Sequence, residues 1–288
     1  GVQTCALPIS ALVQYRSTNR RCLALWSVMP SFAARAFTHL QLWYVPVSGG
    51  EPRALTVGPD SYLSPRFGGP DGSLYAEHVH ATGHVYDLTH LAQMSFKDGS
   101  IEAPVDLTAG LDRSVSTWGV DASGTVYFLA EDSGHEQLYR AHRGSPAKLA
   151  LGLSSGVFTG LTVSGLSREP MLLARFDAAD REPELVRLEP KLGYSFVSGF
   201  NAGRNLFLNP LESFTFKARN GRSIQSFLLR PPGFDPSRKY PLLVLLHGGP
   251  HSAWRDSFGL RWNYHLLAAE DRKSTRLNSS HITISYAV

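Results

Sequence analysis

Two patterns of apolar and polar positions divide the chain. From Leu40 to about Leu188, short runs of β-branched and aromatic residues alternate with clusters of glycine, aspartate and proline, and helical periodicity is nearly absent. Leu42-Trp43-Tyr44-Val45-Pro46-Val47 stops at Ser48-Gly49-Gly50. Pro70-Asp71-Gly72 precedes Ser73-Leu74-Tyr75-Ala76, and Lys97-Asp98-Gly99 and Asp121-Ala122-Ser123-Gly124 repeat the pattern. Glycine and aspartate tolerate the positive φ angles of tight hairpin turns, so the pattern predicts antiparallel all-β structure. The turn-and-strand unit recurs about every forty residues, which suits four-stranded propeller blades. Residues 121–132 followed by Glu136-Gln137-Leu138-Tyr139-Arg140 make one such blade hairpin. A β-sandwich is the other architecture the pattern allows. Residues 10–39 fit neither: Arg16, Arg20 and Arg21 cluster without clear alternation, as in a damaged blade or a frameshifted stretch.

Near residue 210 the pattern changes. Residues 214–219 and 223–230 flank Asn220-Gly221, the strongest short hairpin signal, and Pro231-Pro232-Gly233 ends the second run because proline cannot donate to a ladder. Tyr240-Pro241-Leu242-Leu243-Val244-Leu245-Leu246 is then continuously apolar, as a strand buried on both faces of a parallel sheet would be. An antiparallel hairpin leading into a buried strand is how an α/β-hydrolase sheet begins.

Composition changes this picture mainly at the ends. Back-translated, residues 1–9 and 271–281 resemble the two orientations of one sequencing adaptor and 282–288 an index tag with more adaptor, so residues 1–9 and 271–288 are expected to be artefacts, with a real basic tail as the alternative. Setting them aside takes Lys plus Arg from 28 to 25 and Asp plus Glu from 24 to 23, leaving a net charge of +2. The basic balance is then no argument for a nucleic-acid partner. Cys5 goes with the adaptor and Cys22 remains alone, so no internal disulfide forms and the redox compartment is undetermined. No apolar run approaches the ~18 residues of a membrane span. No membrane partner is expected; localisation and oligomeric state are open.

The candidate chemistry sits at the end of the apolar run, in His247-Gly248-Gly249-Pro250-His251. Glycines let a backbone turn sharply and bring a main-chain N–H to the oxygen of a tetrahedral intermediate. The amide of Gly249 is the expected oxyanion donor and Gly248 gives it room. His247, Pro250, His251 and Trp254 are the residues expected at a substrate entrance, with ordinary surface-loop residues as the alternative. The imidazoles His78, His80, His84 and His90 also fall close together. His78 and His80 share a strand face with His84 beyond a Thr82-Gly83 turn, but no carboxylate or thiolate is evident to complete a zinc set, so no metal is expected.

Residues 212–270 resemble the start of the catalytic domain of prolyl oligopeptidase family serine peptidases, nearest the dipeptidyl and acylaminoacyl peptidase branch. The resemblance rests on residues 227–236, Lys239-Tyr240-Pro241-Leu242-Leu243-Val244, His247-Gly248-Gly249-Pro250-His251 and Arg261-Trp262-Asn263, with Leu138-Tyr139-Arg140 and Glu182-Pro183-Glu184-Leu185 as blade phrases. It implies a β-propeller fragment of about four blades over 40–205, followed by the N-terminal part of an α/β-hydrolase domain over 206–270. The family's Gly-x-Ser-x-Gly nucleophile, its Asp and its His follow the His-Gly-Gly strand and map onto nothing here. Gly152-Leu153-Ser154-Ser155-Gly156 fits the bare pattern, but it precedes that strand and lies among the β-repeats, so Ser154 is read as a loop residue. The expected parent is a serine-type peptidase acting on short peptides through an acyl-enzyme without a cofactor, and the fragment itself is expected to be inactive. A non-catalytic β-repeat module and a parent esterase are the alternatives.

Overall fold

The computed structural model describes residues 22–29, 39–46, 48–84, 87–164, 169–204, 206–248, 252–269 and 282–285, with 22–29 and 282–285 described as backbone. The adaptor-like residues 1–9, 271–281 and 286–288 lie outside these. The chain falls into two compact units. The first is Gly1–Ala130 with Tyr139–Leu149 and Val163–Met171; the second is Glu131–Leu138 with Ala150–Thr162 and Leu172–Val288.

The first unit begins with a three-stranded sheet, β1 (Cys22–Met29), β2 (His39–Pro46) and β3 (Arg53–Ala54). β1 pairs antiparallel with β2 from Cys22↔Pro46 to Met29↔His39. A strand therefore arises inside 10–39, where the sequence shows no clear alternation; pairing along all of β2 supplies the register.

The second sheet has β4 (Ser61–Gly68), β5 (Ser73–Val79), β6 (Thr89–Met94) and β9 (Val105–Asp106) in that order, beside a small ribbon of β7 (Phe96–Lys97) and β8 (Ser100–Ile101). The β4–β5 register shifts between Leu63 and Arg66, around Pro65, which cannot donate to a ladder. The turn before β5 is fixed as expected from its residue types: Asp71 accepts hydrogen bonds from the Ser73 N–H at 3.2 Å and its hydroxyl at 2.8 Å.

A third sheet runs β10 (Val115–Val120), β11 (Val126–Asp132), β12 (His135–His142) and β13 (Ser145–Leu151). The Asp121 carboxylate ties its first turn by accepting from Ser123 N–H at 2.8 Å and Thr125 N–H at 2.9 Å. The core here joins Tyr75, Leu91, Trp118, Phe128 and Tyr139. The Trp118 indole N–H donates to Glu77 Oε1 at 3.0 Å, so its one polar atom is satisfied on burial.

The second unit contains the sheet β14 (Val157–Val163), β15 (Leu172–Ala178), β16 (Arg181–Glu189) and β17 (Gly193–Phe196). It then adds β18 (Glu212–Lys217), β19 (Ser223–Leu229), β20 (Leu243–Leu246), the helix α1 (Tyr264–Ala268) and β21 (Ile282–Ser285). The last sheet has the order β18-β19-β21-β20, with β21 antiparallel to β19 and parallel to β20. A segment expected to be adaptor-derived thus occupies the slot between β19 and β20, because two strand edges left apart by one strand width accept whatever β-prone segment reaches them.

The expectation that residues 240–246 are buried on both faces is not met. The strand is only Leu243–Leu246, and Leu242, Val244 and Leu246 are 60%, 49% and 74% exposed. Burying both faces takes a layer on each side, and among the described residues the only helix is α1.

Candidate functional site

The sequence-predicted site grows from the last sheet. The β18–β19 hairpin forms where Asn220-Gly221 predicts it, paired from Glu212↔Leu228 to Lys217↔Ser223. Gly221 takes φ +81°, and Asn220 Oδ1 accepts from Arg222 N–H at 3.2 Å. At the open end, the Arg230 guanidinium grips both oxygens of Glu212 at 2.5 and 2.9 Å.

β20 delivers His247 and Gly248 just past its C-terminal end. Gly249, Pro250 and His251 lie outside the described residues. The chain resumes at Ser252, whose hydroxyl donates to Gly248 C=O and lies 3.3 Å from His247 Nδ1. Gly248 is exposed, and a Cβ there would meet no atom within 4 Å, so this glycine answers to no crowding by the described residues.

Trp254 packs against the cluster of Ala179, Phe227, Leu229, Tyr264 and Ala268, edge-on to Tyr264 with ring centroids 5.9 Å apart. The structure thus gives Trp254 a packing contact with α1. α1 itself starts where Asn263 accepts the Leu266 N–H at 2.9 Å, a side-chain N-cap.

The segment just after Trp254 carries contacts that the sequence reading missed. Asp256 is buried; its carboxylate accepts the Gly156 N–H at 2.7 Å and the Ala179 N–H at 2.9 Å, while its own N–H donates to Gly134 C=O at 2.9 Å. Asp177, also buried, accepts the Phe258 N–H at 2.8 Å, and Arg255 pairs with buried Glu136. Burial raises the Asp177 pKa, with the neighbouring Asp256 charge adding to it, against the lowering effects of the Phe258 N–H and Arg175. Burial also pushes the Tyr264 phenol up to about 12, helped by Asp256. Gly134, at φ +82°, passes so close to Phe227 that any Cβ would land on the ring. The segment 255–258 is therefore laced to strands and turns of the same unit by contacts of charged side chains that span 77 to 119 residues in sequence. Only a charged pair inside Trp254-Arg255-Asp256-Ser257-Phe258 hinted at it.

Ser154 is exposed in the loop between β13 and β14. A nucleophile elbow joins a buried strand to a helix, and this loop joins two strands. The second unit also has a cavity of about 330 Å³ beside Asp180, Glu182, Phe196, Asn201 and Arg204. None of the predicted site residues lines it. Glu184 faces it and holds its rim by accepting from Ser198, Phe200 and Asn201.

The histidines require a correction. A carboxylate does meet them: Asp60 Oδ2 lies 3.0 Å from His78 Nε2 and 3.1 Å from His80 Nδ1. It comes from 18 residues before His78, beyond the reach of local spacing, and pairing of β4 with β5 brings it there. His84 instead contacts Thr82 Oγ1 at 2.9 Å, and His90 contacts Thr108 Oγ1 at 3.1 Å and Asp106 at 3.4 Å.

No protein-family model matches the chain. It is 25% identical over 264 residues to the probable dipeptidyl-peptidase 5 of Aspergillus flavus, covering 81% of this chain and 34% of the relative. It is 30% identical over 167 residues to dipeptidyl-peptidase 5 of Schizosaccharomyces pombe, covering 53% and 22%. Its fold matches uncomplexed acylaminoacyl peptidase of Pyrococcus horikoshii with a TM-score of 0.66 at 16% identity, over 92% of this chain and 38% of that one. It matches a puromycin hydrolase with a TM-score of 0.64 at 18% identity, over 93% and 40%. These likenesses support the prolyl oligopeptidase family. The chain spans about a third of the length of the curated relatives it matches. The fold likeness extends over the β-rich repeats as well as the last sheet, because the matched span reaches 92% of the chain.

Proposed function

We propose that the chain is part of a serine-type peptidase that cleaves short peptides through an acyl-enzyme, and that its repeated sheets are β-propeller blades followed by the first strands of an α/β-hydrolase domain. The observation that carries the reading is the hairpin β18–β19 in one sheet with β20, one strand apart, where β20 runs into His247-Gly248. In this reading the amide of Gly249 helps hold the oxyanion, worth roughly 2.7–4 kcal/mol of barrier. Gly248 leaves it room, His247 and Ser252 brace the turn, and His247, Pro250 and His251 border the substrate. Trp254 and Asp256 hold the following segment. The nucleophile would attack the scissile carbonyl and a histidine would take its proton; neither is assigned to a residue of this chain. The exposed faces of β20 support the reading, since this strand has the composition of one meant for cover on both sides. The relatives' names, dipeptidyl-peptidase 5 and acylaminoacyl peptidase, supply the substrate class.

The 288 residues themselves are expected to turn nothing over, a reading favoured by Ser154 lying on a strand-to-strand loop. A fluorophosphonate probe should leave them unlabelled; stoichiometric labelling of Ser154 would overturn this. For the parent, the source DNA should be read onward from Glu270. Continuation into a Gly-x-Ser-x-Gly elbow, then Asp and His, is expected, and amide rather than ester turnover by that product separates peptidase from esterase. A stop codon or unrelated sequence leaves a non-catalytic module.

A further inference from the structure

The first unit holds a set of side chains that peptidase chemistry does not use. His78 stands on β5, in register with Tyr62 on β4 and His90 on β6. His80 follows two residues on, past the strand end, with its ring 4.2 Å from that of His78. Asp60 precedes β4 and turns Oδ2 toward both imidazoles, while its Oδ1 accepts the Ala81 N–H at 3.0 Å. The carboxylate is thus aimed by the backbone, the way an outer hydrogen bond orients a metal ligand. His78 is fixed too: it is buried and stacked on Tyr62 at 4.6 Å and 6° between planes.

We propose that Asp60, His78 and His80 form a binding site for a divalent transition-metal ion of the zinc class. The three donor atoms lie within 4.8 Å of one another. Ligands at about 2.0–2.1 Å from a tetrahedral ion stand about 3.3 Å apart, so the two Asp–His separations need open only by a few tenths of an ångström. Two imidazoles and one carboxylate suit zinc and its neighbours better than calcium or magnesium, which prefer all-oxygen shells. The remaining coordination positions face solvent on the side of His80, whose side chain is 57% exposed. The ion would clip the start of β4 to the end of β5. His78 Nδ1 is buried with no partner among the described residues, so the outer carboxylate that tightens many such sites is missing here. The expected dissociation constant is accordingly on the order of micromolar rather than nanomolar.

The test is calorimetric titration of the full chain with zinc chloride, repeated with cobalt(II) and its visible absorption. One ion should bind, raising the thermal midpoint in proportion to the logarithm of free zinc. His80→Ala and Asp60→Asn should each weaken binding about ten-fold or more, and His142→Ala, on another sheet, should not. Because His80 is half out in solvent, its replacement leaves the far-ultraviolet dichroism unchanged, and loss of binding then reports a lost ligand. Absence of saturable binding in the parent chain, or undiminished binding in both His80→Ala and Asp60→Asn, would overturn the proposal.

Discussion

β11 and β20 look alike as strings and behave differently as strands. Val126-Tyr127-Phe128-Leu129-Ala130 and Leu243-Val244-Leu245-Leu246 are both unbroken apolar runs. All five residues of the first are buried, whereas Leu243, Val244 and Leu246 of the second are exposed. The difference lies in the surroundings. β11 has β10 paired beside it and Trp118, Tyr139 and Leu91 packed over it. β20 has only Leu245 turned toward the cluster around Phe227 and Tyr264. Apolar composition states a demand for cover; neighbouring layers decide whether it is met.

The cover over β11 depends most on Trp118. It is 1% exposed, with its N–H on Glu77 and the Arg66 guanidinium 4.7 Å over its ring. Trp118→Ala removes a large buried volume and strands the Glu77 carboxylate, and should cost about 3–5 kcal/mol in urea unfolding. A cost below about 1 kcal/mol would mean that the cover over β11 is loose.

In the second unit, the segment after Trp254 is held by polar ties. Asp256→Ala leaves the Gly156 and Ala179 N–H groups without their acceptor, at about 1–3 kcal/mol for each buried donor. The expected loss is about 2–4 kcal/mol, with faster hydrogen exchange at both amides; unchanged exchange would say that the lacing is not formed in solution. Gly134→Ala should follow at about 1–3 kcal/mol, from its positive φ and the collision with Phe227. Pairing it with Phe227→Ala should return part of that loss, a coupling that a purely conformational penalty would not give.

A smaller effect depends on pH. Burial raises the Asp177 pKa, so the folded state holds this proton more tightly than the unfolded chain. Stability from this group is then full below the unfolded value, near 3.8, and is lost as pH rises through the raised folded value. Asp177→Asn keeps an oxygen for the Phe258 N–H and removes the titration. The variant should match the parent at the acid end and gain on it as pH rises; a constant offset at every pH would assign the effect to packing instead.

These sites also show what the sequence could reveal. Hairpin turns were legible because Asn220-Gly221, Asp71-Gly72 and Asp121-Ala122-Ser123-Gly124 carry their own local hydrogen-bonding chemistry. The resemblance to prolyl oligopeptidase family peptidases was legible through the phrase around His247-Gly248. Asp256 with Gly156, and Asp60 with His78, were not, since each contact is made by chain segments brought together only after strands pair. The length of β20 was overestimated for a related reason. Residues 240–242 have strand composition but gain no ladder partner: β20 pairs with β21 only from Leu243↔Ile282 to Leu246↔Ser285.

The smallest expected effect is at Leu246, on β20. Leu246 is 74% exposed, so Leu246→Ser in this chain should change stability by no more than about 0.5 kcal/mol. In the longer parent proposed above, whose further layers would cover β20, the same substitution would remove a buried side chain and leave a hydroxyl in its place. There it should cost about 2–5 kcal/mol, as large-to-small core changes do. A near-zero effect in both contexts would mean that β20 is not a central strand in the parent, and the hydrolase reading of the last sheet would fall with it. A large effect in both would mean that this chain already covers Leu246, through self-association of its exposed apolar face, and sedimentation at two concentrations would reveal that directly.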